Sequence, residues 1–235
     1  MRAARLLAIL GATAALLVLA RDTLRATPSS PGLAGALDAV VAIDGAGCSG
    51  TVVVSRFLVL TAKHCVQRAD AEAPVEPATL AVLVGADPRA PRARLPVRQV
   101  VTVPGRYGAD LRGALAGRDL ALLVLAAPAP VVPARLALDE RRPDLVVAVG
   151  YRGVGRELGP RAAHPGRVGT TDARRIVTSP LTCPGDSGGP LLDLRGRVVG
   201  VASLRAPGPC DRGPSLFTPI GVIAELAAAA RVTRL

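Results

Sequence analysis

The apolar positions of this chain fall into short apolar or alternating runs, at 39–43, 51–54, 57–61, 80–84, 97–103, 120–125, 145–149, 175–178, 198–203 and 216–219, in a chain punctuated by Gly and Pro. Runs of that length suit strands better than helices, and many of them at close spacing predict an all-β sandwich or barrel. Only the stretch 222–232, with its Ala run, has helix-favouring composition, which predicts a short C-terminal helix. A Pro-rich passage at 126–133 divides the folded part into portions of about 37–127 and about 128–235, and no internal repeat is visible.

The first residues follow a different pattern. Arg2 and Arg5 precede an apolar run over 6–20 that ends in Val18-Leu19-Ala20, which predicts a signal peptide over 1–20, with an uncleaved anchor as its rival. Residues 21–36, with Pro28, Ser29, Ser30, Pro31, Gly32 and Gly35, read as a linker or short pro-segment, and order is expected from near Leu37. Both N-terminal readings put the domain outside the cytoplasm. The four cysteines fit an oxidising compartment, and by count alone they allow three pairings.

Composition changes the picture in two respects. Half of the 235 residues are hydrophobic but only 2% are aromatic and Trp is absent, so the core must be built from Val, Leu, Ile and Ala. The formal charge of +11 comes almost wholly from arginine, since Lys63 is the only lysine. The arginines are scattered through Pro- and Gly-containing segments without aromatic interleaving, so a solvated basic surface is expected and no nucleic-acid partner.

Three segments carry chemistry. Cys183-Pro184-Gly185-Asp186-Ser187-Gly188-Gly189-Pro190 sets a serine among glycines, where a sharp turn can present the N–H groups of Gly185 and Ser187 to one point. Thr61-Ala62-Lys63-His64-Cys65 closes an apolar strand with a histidine. The other histidine, His164, lies between Ala163 and Pro165 and reads as a solvent-facing loop residue. Arg118-Asp119-Leu120-Ala121-Leu122 starts an apolar strand with an acid, which is costly to bury without a hydrogen-bond partner, and His64 is the obvious one. A nucleophilic hydroxyl, a base, a carboxylate that fixes the base's tautomer and donors for an oxyanion are what acyl transfer by serine needs.

In that order, His, Asp, Ser, the segments resemble the trypsin/chymotrypsin family of serine proteases over about 39–220. The resemblance implies two six-stranded antiparallel β-barrels packed together with the site in the cleft between them. It implies a secreted endopeptidase with His64, Asp119 and Ser187 as catalytic residues, no cofactor and no metal. It implies disulfides Cys48–Cys65 and Cys183–Cys210, and it puts Ser203 beside the buried aspartate with Ser203, Leu204 and Arg205 as the edge that pairs with substrate. A polypeptide substrate, a monomer and no membrane partner after signal removal go with it. By the same likeness Leu181 forms the floor of the primary specificity pocket, with Thr182 and Ser215 in its wall and Arg205 projecting across its entrance. An apolar floor leaves a buried Lys or Arg side chain unpaired, so a small or medium aliphatic residue is expected on the acyl side of the cut.

The chain departs from that family in two places. The family's Ile-Val-Gly-Gly activation terminus has no counterpart between Arg21 and Asp44, although the acid it would pair with is present as Asp186. Either an internal cation such as a loop arginine neutralises Asp186, or the site is incomplete until a partner acts; a non-catalytic or partner-activated binding protein on the same fold is the alternative this raises. A second alternative is a surface-binding protein whose positive charge is its function. Lys63 stands where the family usually has alanine, with its side chain expected to reach solvent from the strand end.

Overall fold

The structure is a computed structural model, and it describes residues 32–69, 71–103, 117–138, 143–154 and 157–230. The segment 1–20, where a signal peptide is expected, lies outside the described residues. Of the expected linker 21–36, the last five residues are already folded: helix α1 spans Gly32–Asp38, and Ala36 is fully buried against the body.

The first half of the chain closes into a six-stranded barrel. Its strands are β1 (Val40–Asp44), β2 (Cys48–Val52), β3 (Leu58–Thr61), β4 (Ala81–Val84), β5 (Ala93–Thr102) and β6 (Ala121–Leu125), in the spatial order β1-β2-β3-β6-β5-β4. Four of these strands are buried along their whole length, and three of them, β3, β4 and β6, accordingly read as apolar runs rather than alternations. The second half contributes β7 (Arg135–Leu136), β8 (Leu145–Val154), β9 (Glu157–Thr171), β10 (Ile176–Thr178), β11 (Pro190–Asp193), β12 (Arg197–Arg205) and β13 (Ser215–Pro219). Strands β11-β8-β9-β10-β13-β12 form a second six-stranded barrel, closed by the β11–β12 pairing, and short β7 is added parallel to β12. The two antiparallel barrels are therefore present, with one parallel ribbon as an addition. Helix α2 (Ile223–Ala229) is the expected C-terminal helix.

The pattern missed β9. Its residues include Pro160, Pro165 and several glycines, and its burial alternates between half-buried and exposed, so no apolar run marks it. Its partner is β8 over 157–167, and β10 joins only at Val168–Thr171, so the prolines sit where one edge of the strand is unpaired. His164 is consequently a strand residue opposite Ala148, not a loop residue. Its Nε2 is buried with no partner among the described residues, and burial, reinforced by Arg152, holds its pKa below the ordinary value.

One apolar cluster runs from the first barrel into the second, taking in Val147, Val149, Leu192 and Val201, while a smaller one fills the second barrel around Ile176, Leu181, Leu191 and Phe217. Tyr151 at the seam is fully buried, and its hydroxyl meets the carbonyls of Val40, at 2.9 Å, and Gly85. Burial pushes its pKa up to about 12, so it stays a donor and satisfies first-barrel carbonyls from a second-barrel strand.

Candidate active site

His64 is positioned by the way β3 ends. Thr61 Oγ1 donates to Ser49 O at 2.8 Å, and Lys63–Cys65 then form a single 3₁₀ turn that aims the histidine back along the barrel rim. Asp119 lies just ahead of β6, fully buried, and it is held from three directions. His64 Nδ1 is 2.8 Å from Asp119 Oδ2, the His64 backbone N–H donates to Oδ1 at 2.9 Å, and Ser203 Oγ donates to Oδ2. This is how a buried carboxylate at a strand start avoids the cost of an unpaired charge.

Burial acts on both members of the pair and the pairing overrides it. For His64, desolvation works to lower the pKa, but the charge of Asp119 and its hydrogen bond raise it above the ordinary value. For Asp119, desolvation works to raise the pKa, but His64 and the bonds from Ser203 and the backbone hold it low. With Nδ1 committed to the carboxylate, Nε2 is left to act as a base, and Cys65 Sγ lies 3.8 Å from it. Cys48, Cys65 and His64 bring potential metal ligands within 4.8 Å, yet both sulfurs belong to the Cys48–Cys65 disulfide and supply no thiolate.

Ser187 reaches the same corner through its backbone. Ser49 N donates to Ser187 O at 2.7 Å, and Ser49 follows the cysteine that is bonded to Cys65 beside His64. Gly188, at φ +82°, packs so tightly that a Cβ there would stand 2.2 Å from Thr61 Oγ1 and 3.1 Å from Ala62 N. Gly188 N also donates to Ala202 O at 2.8 Å, next to the serine that binds Asp119. The Ser187 hydroxyl makes no hydrogen bond to the His64 ring among the described residues. Such bonds are often loose without substrate and tighten when it binds.

Two carbonyls fix the peptide groups of the serine turn. Pro184 O accepts from Gly153 N at 3.0 Å and Asp186 O accepts from Gly189 N at 2.9 Å. Because all described peptides are trans, the N–H groups of Gly185 and Ser187 point opposite to those anchored carbonyls. Gly185 has φ +89°, and a Cβ there would stand 2.3 Å from Tyr151 O, so no other residue fits. Ser49, which the sequence did not single out, supports this turn: its hydroxyl donates to Gly185 O at 2.8 Å and accepts from Tyr151 N at 2.9 Å. A serine in Cys48-Ser49-Gly50 carries no signal that could have marked it.

An arginine does meet Asp186, and it comes from strand β8 rather than from a loop. Arg152 Nε is 3.2 Å from Asp186 Oδ2, Arg152 Nη2 donates to Leu181 O at 3.0 Å, and Cys183 N donates to the same carboxylate oxygen at 2.8 Å. Asp186 Oδ1 is buried without a partner among the described residues. Burial raises the Asp186 pKa, against the Cys183 bond and the charge of Arg152. A raised carboxyl contributes stability below its unfolded pKa and loses it as pH rises through the folded value, so at neutral pH Arg152 offsets a buried charge. Arg152→Gln is therefore expected to lower stability by about 2 kcal/mol, below the range for fully buried pairs because the arginine is partly exposed, and to cut kcat roughly tenfold. Denaturant melts and peptidase kinetics measure both, and Asp186→Asn in the same chain should restore part of the stability. An unchanged midpoint in Arg152→Gln would remove the pair from this role.

The remaining expected residues are distributed as follows. Leu181 is buried in the smaller apolar cluster against Gly166, where a Cβ would stand 2.5 Å from its Cδ2. Ser215 Oγ accepts from Leu181 N at 3.0 Å and Thr182 N at 3.1 Å and exchanges a hydrogen bond with Thr182 Oγ1, so it holds the pocket segment. Leu204 is half-buried on β12 opposite Leu216. Arg205 lies at the end of β12, and its Nη1 donates to Ala206 O and Gly208 O in the loop that follows. Lys63 does not reach solvent. It is buried, with Nζ donating to Val103 O at 2.6 Å, and desolvation, with Arg118 nearby, pulls its pKa down against Asp119. The second disulfide, Cys183–Cys210, ties the serine segment to the loop after β12, and both pairings are those the resemblance implied.

Among known proteins, several solved structures share this architecture. Mouse neuropsin superposes with a TM-score of 0.65 at 18% identity, over 83% of this chain and 95% of its own. A serine endoprotease from Yersinia pestis gives 0.60 at 19%, covering 89% and 69%. The scabies mite inactivated protease paralogue S-D1 gives 0.65 at 17%, covering 84% and 94%. At these identities the likeness establishes the fold alone. No curated protein sequence gives a significant match. The trypsin-like peptidase domain matches residues 48–201, which contain His64, Asp119 and Ser187. The chain belongs to the trypsin-like peptidase family.

Proposed function

We propose that the chain is an extracytoplasmic serine endopeptidase, in which Ser187 attacks the scissile carbonyl, His64 takes its proton and Asp119 holds the imidazole. The observation that carries this is the relay Ser203–Asp119–His64 about a buried carboxylate, set beside a serine turn whose Pro184 and Asp186 carbonyls are anchored by other backbone N–H groups. Attack by Ser187 Oγ on the carbonyl gives an oxyanion received by the N–H groups of Gly185 and Ser187. His64 then returns its proton to the leaving amine, and water repeats the sequence on the acyl-enzyme. Leu181 makes the acyl-side pocket apolar, which favours an aliphatic residue before the cut. The two disulfides fit an oxidising compartment, reached through cleavage of the N-terminal segment at or after Arg21.

Covalent labelling by an organophosphonate tests the reading. Modification at Ser187 in the wild-type protein, and none in His64→Ala, is the expected result. A correctly processed protein that takes up no label favours a binding protein on the same fold. One observation speaks for that second reading: Asp186 Oδ1 is buried with no partner among the described residues.

A further inference from the structure

Strand β12 changes neighbours midway. Up to Val201 it pairs with β11 on one edge, and the last bonds on that side join Ala202 to Gly188 and Gly189, each at 2.8 Å. Beyond Ala202 its pairing among the described residues is with β13 alone, Leu204 opposite Leu216 and Arg205 opposite Ser215. The backbone of Ser203–Arg205 thus offers an open edge beginning beside the serine turn, where an extended peptide can add as an antiparallel strand.

The register of that strand is the one the trypsin-like resemblance implies: with Ser187 one residue before Gly188, which is bonded to Ala202, the peptide residue whose carbonyl is attacked lies across from Ser203. Counting back along an antiparallel peptide, the next residue faces Leu204 and the third faces Arg205. Directly opposed residues project to the same side of the pair, with Cβ atoms about 5 Å apart.

Arg205 is a half-buried cation with no carboxylate partner among the described residues. Nη1 donates to Ala206 O at 3.0 Å and Gly208 O at 2.5 Å, which fixes the guanidinium and leaves its other donors for a ligand. The acid in its loop, Asp211, is exposed and makes no ion pair with it. The loop is braced by Ala206 N donating to Pro214 O at 3.0 Å and by the Cys183–Cys210 disulfide. A fixed, partly desolvated guanidinium on the strand residue that opposes the third peptide position matches a carboxylate in geometry and charge.

We propose that Arg205 determines specificity by receiving an acidic side chain of the substrate at the third residue on the N-terminal side of the cut, counting the residue whose carbonyl is attacked as the first. The proposal rests on the peptidase reading for its register. Its test uses three peptides identical except for Glu, Gln or Lys at that third position. Values of kcat/KM are measured with wild type, Arg205→Gln, Arg205→Lys and Arg205→Glu, and Kd is measured by fluorescence anisotropy in the Ser187→Ala background. Wild type should favour Glu over Lys about 10- to 50-fold at low salt, less at high salt. The ratio should persist in Arg205→Lys, collapse in Arg205→Gln and invert in Arg205→Glu, with Kd following the same order. Equal handling of Glu and Lys peptides by wild type, or a preference that survives in Arg205→Glu, overturns the proposal. If no peptide is cleaved but the Kd order holds and depends on Arg205, the contact stands and the peptidase reading falls.

Discussion

Ser187→Ala is expected to lower kcat by about 10⁶-fold, and His64→Ala by a similar factor, with the two together costing little more than either alone. The residues act as one unit, because neither the hydroxyl without its base nor the base without its hydroxyl can form the acyl-enzyme. Folding should be nearly unaffected by the serine change. Ser187 is held by its backbone, through Ser49 N and the packing of Gly188, rather than by its hydroxyl among the described residues. Single-turnover kinetics on purified protein, alongside a thermal melt, separate the two effects. Wild-type turnover in the serine variant would remove Ser187 from the mechanism altogether.

Asp119→Asn is expected to cost about 10⁴-fold in kcat, since the amide can donate to Nδ1 and so favours the tautomer whose proton sits on the wrong nitrogen. The variant also has a distinct pH signature. In the wild type the Asp119 charge and hydrogen bond hold the His64 pKa above its ordinary value despite burial, so kcat/KM should rise with pH through a midpoint above 6.5. Removing the charge leaves desolvation unopposed, and the midpoint should move down, below 6.5. For stability the sign runs the other way. A raised histidine contributes fully below pH 6.5, and that contribution is lost as pH rises through its folded value; the lowered Asp119 contributes above about pH 3.8 and loses its part on acidification below that. A pH–rate profile of both proteins over pH 5 to 9 checks the kinetic shift. Coincident midpoints would mean that the carboxylate does not set the titration of the base.

Much of this protein is written locally. Part of the first barrel was legible because β3, β4 and β6 are buried along their whole length and therefore appear as apolar runs, as in 120–125 and 80–84. The glycines at 185 and 188 were legible because only glycine takes a positive φ against so close a backbone, and the sequence around Ser187 keeps both. What the sequence by itself determined is thus the all-β class, the segments bearing the candidate chemistry, and the family resemblance. The rest depends on residues far apart in the chain. Strand β9 is defined by β8 beside it rather than by any periodicity of its own, since a half-exposed ribbon has no apolar face to mark it. Arg152 could not be told from the other arginines until β8 carried it to Asp186, 34 residues away, and Ser49 became a brace for Gly185 only across a separation of 136. Burial of Lys63 and the attachment of Arg205 to its own loop were likewise decided by packing. A side chain's charge is fixed by its identity, but its partner and its exposure are fixed by what the fold brings against it, and only the tertiary structure supplies that.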